Sequence, residues 1–285
     1  HKRKCNQFAS CTKNILNNKI TEAKTLPKIY GTPKMHKNPI KMRYITGART
    51  SSLRDLSIEL KHILTHFKTH YKRYCNAIEA RNQSKVFWSI DSSYECISVM
   101  RNSKIKNKQL YTADFTSLFT NLPHSAILGS IRDIMKICFK NAGSTYITKQ
   151  GQDRYSYTDS AKSNKLSYTI EDILFMLHYI LDNSFARYGD NLFKQVNGIP
   201  QGNNASPLIA DLTLLAMETT YVTTNLQKFR KSNFLACRYM DDILIISNKL
   251  NDTIAILTDI YHPSLTLEQT NNTNDECNFL DLTIQ

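Results

Sequence analysis

No apolar run in this chain approaches the roughly 20 residues a helix needs to span a bilayer, and no leader pattern of basic then apolar residues opens it. A membrane anchor is therefore not expected. No Cys-x-x-Cys pair occurs, and the seven cysteines (Cys5, Cys11, Cys75, Cys96, Cys138, Cys237 and Cys277) are odd in number and lack zinc-site spacing. That disfavours a zinc module and points to a reducing compartment. Cys5, Cys11 and His1 have no second Cys/His pair to complete a metal site, so they read as ordinary thiols. Acid is scarce: 24 Asp and Glu against 37 Lys and Arg leave a formal charge of +13. Such an excess seeks a polyanion, and a nucleic-acid duplex is the natural consumer of the charge. An initiating Met is missing too, and the 285 residues running from His1 to Gln285 read as a fragment or a processed core.

What is present begins with 41% hydrophobic content, enough for a real core in one large domain or two subdomains. Tyr239-Met240-Asp241-Asp242 followed by Ile243-Leu244-Ile245-Ile246 sets two adjacent carboxylates at a tight turn between apolar, β-rich runs. Such a pair is either spread in solvent or neutralised by cations. Magnesium suits it, because that ion takes hard oxygen ligands, few of them from protein, and keeps several waters. Adjacent aspartates also serve plain hairpin turns. Asp114 closes another strand-like run and reads as a third carboxylate or as a turn cap. Carboxylates converging from separate strands are what two-metal phosphoryl transfer requires.

The stretch Gly198-Ile199-Pro200-Gln201-Gly202-Asn203-Asn204-Ala205-Ser206-Pro207 is turn-rich and opens into an apolar helix running to about Val222. Ser206 is the candidate N-cap, with Pro207 at the first helical position. Gly202 permits close backbone approach to a ligand, and free N–H groups ahead of a helix suit an anion or a base-pair edge. An ordinary strand-to-helix loop has the same composition.

Asp114, the Gln201-Gly202 to Ser206-Pro207 block and Tyr239-Met240-Asp241-Asp242 stand in the order and spacing of motifs A, B and C, and the chain resembles a reverse transcriptase. Tyr30-Gly31-Thr32-Pro33-Lys34-Met35-His36-Lys37, Met42-Arg43-Tyr44-Ile45-Thr46, Ser117-Leu118-Phe119-Thr120-Asn121-Leu122-Pro123 and the primer-grip-like Phe279-Leu280-Asp281-Leu282 resemble segments of Penelope-like retroelement enzymes. The likeness spans residues 26–285. It departs at Tyr44, where proline usually follows the arginine, at Asn203-Asn204-Ala205, usually richer in glycine, and at Met240, which is the retroviral form.

The resemblance implies an RNA-directed DNA polymerase that adds dNTPs to a DNA or RNA primer on an RNA template with two Mg2+ ions, for which Mn2+ can substitute. Asp114, Asp241 and Asp242 would be catalytic and, with the Phe115 carbonyl, would hold the metal. Arg43 and either Lys34 or Lys37 would meet the triphosphate, the arginine as a fork and the lysine as a point charge. Phe119 holds the position of a gate against the ribose 2′-hydroxyl, unless it is simply core. Gln201 and Gly202 would line the nucleotide and template-base pocket. Tyr239, Met240, Ser206, Pro207, Phe279 and Leu280 would contact primer and template.

The implied fold is α+β, a right-hand polymerase with fingers and palm, an antiparallel palm sheet backed by helices, and the thumb largely absent. Residues 1–109 are expected to form an N-terminal segment and fingers, 110–123 palm, 124–197 a fingers insertion and hairpin, and 198–285 palm. No membrane partner is expected, the oligomeric state stays open, and the location would be intracellular, nuclear for a eukaryotic retroelement. A telomerase-like or group II intron-type enzyme and a catalytically silent nucleic-acid binder are the alternatives. An RNA-dependent RNA polymerase is disfavoured by Tyr239-Met240-Asp241-Asp242, where that class usually has Gly-Asp-Asp.

Periodicity adds local expectations. Residues 53–67 carry an amphipathic helix whose Lys61, Lys68, Lys72 and Arg73 lean towards template. Residues 143–168 read as a polar surface loop or insertion. Thr169-x-x-Asp172 opens another helix, and Gly189-Asp190-Asn191 turns a hairpin.

Overall fold

The structure is a computed structural model that describes residues 26–35, 39–102, 109–231 and 234–285. Lys37, Cys5, Cys11 and His1 lie outside the described residues. In chain order the elements are β1 (Ile29–Lys34), β2 (Lys41–Thr46), α1 (Arg54–Asn82), α2 (Ser93–Arg101), β3 (Gln109–Phe115), the single turn α3 (Leu118–Asn121) and α4 (His124–Ala142). Then come β4 (Tyr146–Lys149), β5 (Tyr155–Thr158), β6 (Ser167–Tyr168), α5 (Ile170–Asp182), β7 (Phe185–Tyr188), β8 (Asn191–Lys194) and α6 (Ser206–Thr224). The rest is α7 (Leu226–Lys231), β9 (Phe234–Tyr239), β10 (Asp242–Ser247), α8 (Leu250–Ile260), β11 (Leu267–Gln269), β12 (Cys277–Phe279) and β13 (Leu282–Ile284). This is an α+β architecture with antiparallel sheets.

The central sheet is four-stranded, in the order β11-β3-β10-β9, and every pairing is antiparallel. Side chains alternate across a strand, so the register sorts residues onto two faces. One face carries Ala113, Ile243 and Ala236 and is covered by α1, α4, α5, α6 and α8, which together form the main core. The other carries Leu110, Leu244, Ile246 and Cys237 and packs on α2 and the β12–β13 hairpin in a second cluster with Ile90, Cys96 and Phe279. Burial on both faces is why the β10 sequence is a continuous apolar run rather than an alternating one.

Helix boundaries follow local chemistry. The Thr169 side chain accepts from the Asp172 N–H and the Asp172 carboxylate accepts from the Thr169 N–H, a complete capping box at α5. Gly143, at φ +64°, ends α4 in the left-handed conformation that an L-residue resists. Helix α1 extends well past the predicted residues 53–67, because its stripe of Leu56, Leu60, Ile63, Leu64 and Phe67 continues through Tyr71 and Cys75. Helix α6 is buried around most of its circumference and is the central rod of the core.

The polar stretch 143–168, expected as a surface loop, is instead a three-stranded sheet in the order β5-β4-β6. It is pinned to α1 by Glu59, 2% exposed, which accepts from Lys149 Nζ at 2.6 Å and from the Tyr155 and Tyr168 hydroxyls at 2.7 and 3.1 Å. Lys149, Tyr155 and Tyr168 thus serve a buried acceptor, while the mostly polar residues 152–154 and 159–166 are exposed loops between the strands, as expected. Cys75, Cys96, Cys138, Cys237 and Cys277 are all free and buried. No helix among the described residues is long and apolar enough to cross a membrane.

Candidate functional site

Four acidic residues meet at one end of the central sheet. Asp114 on β3 lies directly opposite Asp242 on β10, and on its other side it lies opposite Glu268 on β11. Directly opposed residues share a face, so Glu268, Asp114 and Asp242 stand in a row across three strands. Asp241 is next to them in the turn between β9 and β10, where Tyr239 pairs with Asp242. The Asp241 carbonyl accepts from the Phe115 N–H at 3.3 Å, which ties the turn to β3. Like charges placed directly opposite one another destabilise a sheet, so this row is what a cation would relieve. Glu268 has no signal of its own in the sequence, because Leu267–Gln269 is too short for alternation to stand out.

Met240 adopts φ +54° to make the turn, and Leu280 repeats the feature at φ +56° in the turn of the β12–β13 hairpin. Phe279 is buried in the second cluster while Leu280 is exposed, so that hairpin anchors through one residue and presents the next.

Residues 33–265 match the family model described as reverse transcriptase (RNA-dependent DNA polymerase). The chain belongs to the reverse transcriptase family. No curated protein matches it in sequence. Among solved structures it resembles apo telomerase from Candida tropicalis, with 17% identity, TM-score 0.58, and 97% of this chain against 52% of that one covered. Telomerase from Candida albicans in complex with a TWJ fragment of telomeric RNA gives 16% identity and TM-score 0.59 over 90% of this chain and 45% of that one. The BmCPV RNA-dependent RNA polymerase at the elongation state gives 13% identity and TM-score 0.56 over 99% and 23%. The chain thus spans about half the length of the telomerases it resembles, and at these identities the likeness is one of fold.

Reverse transcriptase-type polymerases generally use divalent metals, and the donors here suit them. Asp114, Asp241, Asp242 and the Phe115 carbonyl offer only hard oxygens. Among the described residues no three His, Cys, Asp or Glu side chains come near enough to enclose an ion.

The loop of residues 198–205 is built against strand β2. The Thr46 N–H donates to the Gln201 carbonyl at 3.0 Å, and a Cβ on Gly202, whose φ is +101°, would sit 1.9 Å from the Thr46 carbonyl oxygen. The close approach Gly202 allows is therefore to the chain's own backbone. Ser57 of α1 holds the same loop, bonding to the Asn203 side chain and accepting from the Ala205 N–H at 3.0 Å. The Asn203 side chain thus has a structural occupation that glycine there would not supply. Ser206 is not the N-cap: Ala205 takes that place, and the Ser206 hydroxyl donates to the Pro200 carbonyl at 2.5 Å. Pro207 is accordingly at the second helical position rather than the first, still within the first turn, where its missing N–H costs no intrahelical bond.

A cleft of about 370 Å³ runs beside this loop, lined by Gln201, Asn203, Thr120, Tyr44, Phe193 and Lys194 among others. Asp114, Asp241, Asp242, Arg43 and Phe119 do not line it. Phe119 is half-buried and packs on the main core, and its carbonyl accepts from the Ile199 N–H at 2.7 Å. Arg43 is exposed on β2, and Lys34 ends β1 opposite Lys41.

Two lysines expected to lean towards template are engaged elsewhere. Lys68 Nζ lies 2.7 Å from Asp91 and 2.9 Å from Asp211, and Lys72 Nζ lies 2.5 Å from Glu95. Helical spacing places them on one stripe but cannot say which carboxylates later fold beside it. Burial alone would lower the Lys68 pKa, but Asp211 and Asp91 outweigh it and raise it. Burial alone would raise Asp211, but Arg238 and Lys68 hold its carboxyl below the usual range.

Proposed function

We propose that this chain is the catalytic core of an RNA-directed DNA polymerase that extends a DNA or RNA primer with dNTPs on an RNA template. The observation that carries the reading is the in-register meeting of Asp114 and Asp242, with Asp241 in the adjoining turn, in a chain of the reverse transcriptase family. Asp114 and Asp241 are the principal metal ligands, with Asp242 and the Phe115 carbonyl beside them. Mg2+, or Mn2+ in its place, would when bound activate the primer 3′-hydroxyl and steady the leaving pyrophosphate. Arg43, with either Lys34 or Lys37, meets the triphosphate, Gln201 and Gly202 the nascent base pair, and Tyr239 and Met240 the primer end. The exposed Pro207 and Leu280 meet primer and template, whereas Ser206 and Phe279, both buried, do not make the contact expected of them and only hold their neighbours in place. The net charge of +13 favours holding a polyanionic duplex in place.

The motif set from Tyr30 to Leu282 supports a retroelement of Penelope-like type, working in the nucleus if its host is eukaryotic. Primer extension on RNA with Mg2+ and dNTPs tests the reading. Asp241→Asn should lower the extension rate by about a thousandfold or more, while duplex affinity stays near the wild-type value. Substantial extension by the purified variant would sink the assignment.

A further inference from the structure

Beneath the Met240-Asp241 turn lies a set of buried charges that the polymerase reading leaves unused. Arg238 projects from the helix-covered face of β9 and is fully buried. Its Nη1 donates to Asp211 Oδ1 at 2.8 Å and to the Met240 carbonyl at 3.0 Å. Its Nη2 donates to the Asp211 carbonyl at 3.1 Å and to Glu218 Oε2 at 3.2 Å, and its Nε donates to Glu218 Oε1. Every N–H of the guanidinium is thereby used. Around it, the Ser89 hydroxyl donates to Asp211 Oδ1 at 2.9 Å, the Tyr261 hydroxyl to Glu218 Oε1 at 2.9 Å, and Lys68 Nζ reaches Asp211 Oδ2 at 2.9 Å. Arg238 and Lys68 balance Asp211 and Glu218.

Buried charge sets are often no more stabilising than apolar packing of the same volume, so stability alone does not account for this one. What apolar packing cannot do is donate to the Met240 carbonyl. That carbonyl belongs to the peptide joining Met240 to Asp241, and Met240 is held in the left-handed region that L-residues enter only under constraint. Fixing the plane of this peptide fixes the Asp241 N–Cα bond, and so the point from which the Asp241 side chain leaves the turn.

We propose that Arg238 is a positioning residue: clamped by Asp211 and Glu218, it pins the Met240-Asp241 peptide from below and so aims the Asp241 carboxylate. The proposal rests on the polymerase reading for its consequence, though the pin itself can be read without catalysis. Lysine at 238 keeps the charge but loses the planar fork. The control is Tyr261→Phe, which deletes one bond to Glu218 while keeping the ring that meets Phe115 edge-on at 4.9 Å between centroids.

The experiment combines single-turnover primer extension, the KM for dNTP, and hydrogen exchange of the Asp241 and Asp242 amides in the protein alone. Arg238→Lys should slow extension by about a hundredfold through misplacement of the carboxylate, leave KM nearly unchanged and speed amide exchange in the turn. Tyr261→Phe should leave rate and turn exchange at wild-type values. Unchanged turn exchange in Arg238→Lys overturns the proposal, and so does an equal loss of rate in both variants. If Arg238→Lys does not fold, Asp211→Asn, which keeps the shape and weakens the hold on Nη1, carries the same expectations and the same refutations. A wild-type protein that extends no primer would defeat the polymerase reading, whereas the exchange comparison would still decide the pin.

Discussion

Two antiparallel hairpins of this chain, β1–β2 and β9–β10, are built from strands of six residues each and live in opposite environments. In β9–β10 the residues from Leu235 to Arg238 and from Ile243 to Ser247 are buried, between helices on one side and the β12–β13 hairpin on the other. In β1–β2, Tyr30, Met42 and Tyr44 are each about half exposed, and no residue of the hairpin belongs to either core. Among the described residues, hydrogen bonds tie it to the rest of the molecule through backbone: Thr46 to Gln201, and the segment before it to β7 through Arg187 N–H to the Pro27 carbonyl at 2.7 Å. Side chains that folding does not need are free to be chosen for a ligand. The buried hairpin must satisfy packing first, and it can serve chemistry only at its tip.

The contrast is broken most sharply where the exposed hairpin touches the core. Gly202→Ala places a Cβ against the Thr46 carbonyl in a backbone conformation alanine resists, and should cost about 3 kcal/mol of stability. Chemical denaturation reads this, and a cost below about 1 kcal/mol would mean that the two regions are not wedged together at this point. On the exposed hairpin, Arg43→Ala should leave the denaturation midpoint almost unmoved while raising the KM for dNTP by about tenfold, the reverse balance of effects. A loss of stability with an unaltered KM would place Arg43 among the structural residues.

Phe119 sits between the two regimes, half-buried and packed on the core. Phe119→Val should reduce discrimination against ribonucleotides by roughly tenfold, measured as the ratio of kcat/KM for dNTP and rNTP. An unchanged ratio would return it to core packing alone.

The smallest expected effect concerns acid. Burial first, then His70 and Arg73, pull the His66 pKa from 6.5 to about 4. Its ring also lies against Tyr155 and Tyr157. Between those values the unfolded chain binds the proton before the folded one does, so this stability is whole above pH 6.5 and drains away as pH falls towards 4. His66→Gln should flatten the fall of Tm over that window. His70, shifted the same way, keeps part of the slope. A slope identical to wild type would remove His66 as a contributor.

Local chemistry is legible in the sequence wherever a few neighbouring residues settle the outcome. Thr169 and Asp172 close a capping box whatever surrounds them, and the apolar stripe of α1 and the hairpin turn after Tyr188 are properties of spacing and side-chain type. The apolar run of β10 marks a strand by its composition alone. The order of Asp114, Gln201-Gly202 and Asp241-Asp242 is likewise a property of the linear chain. Tertiary structure alone decided who stands opposite whom. Glu268 enters the acidic row only because β11 pairs with β3, and Lys68 turns from template only because Asp211 and Asp91 fold beside it. The strands within residues 143–168 dock on α1 through Glu59, far off in sequence, which offers Lys149, Tyr155 and Tyr168 a buried acceptor. Arg238, mute in the sequence, gains its partners from α6. A hydrogen bond or an ion pair depends on distance in space, and sequence separation carries almost none of that information once the loop between two partners is long.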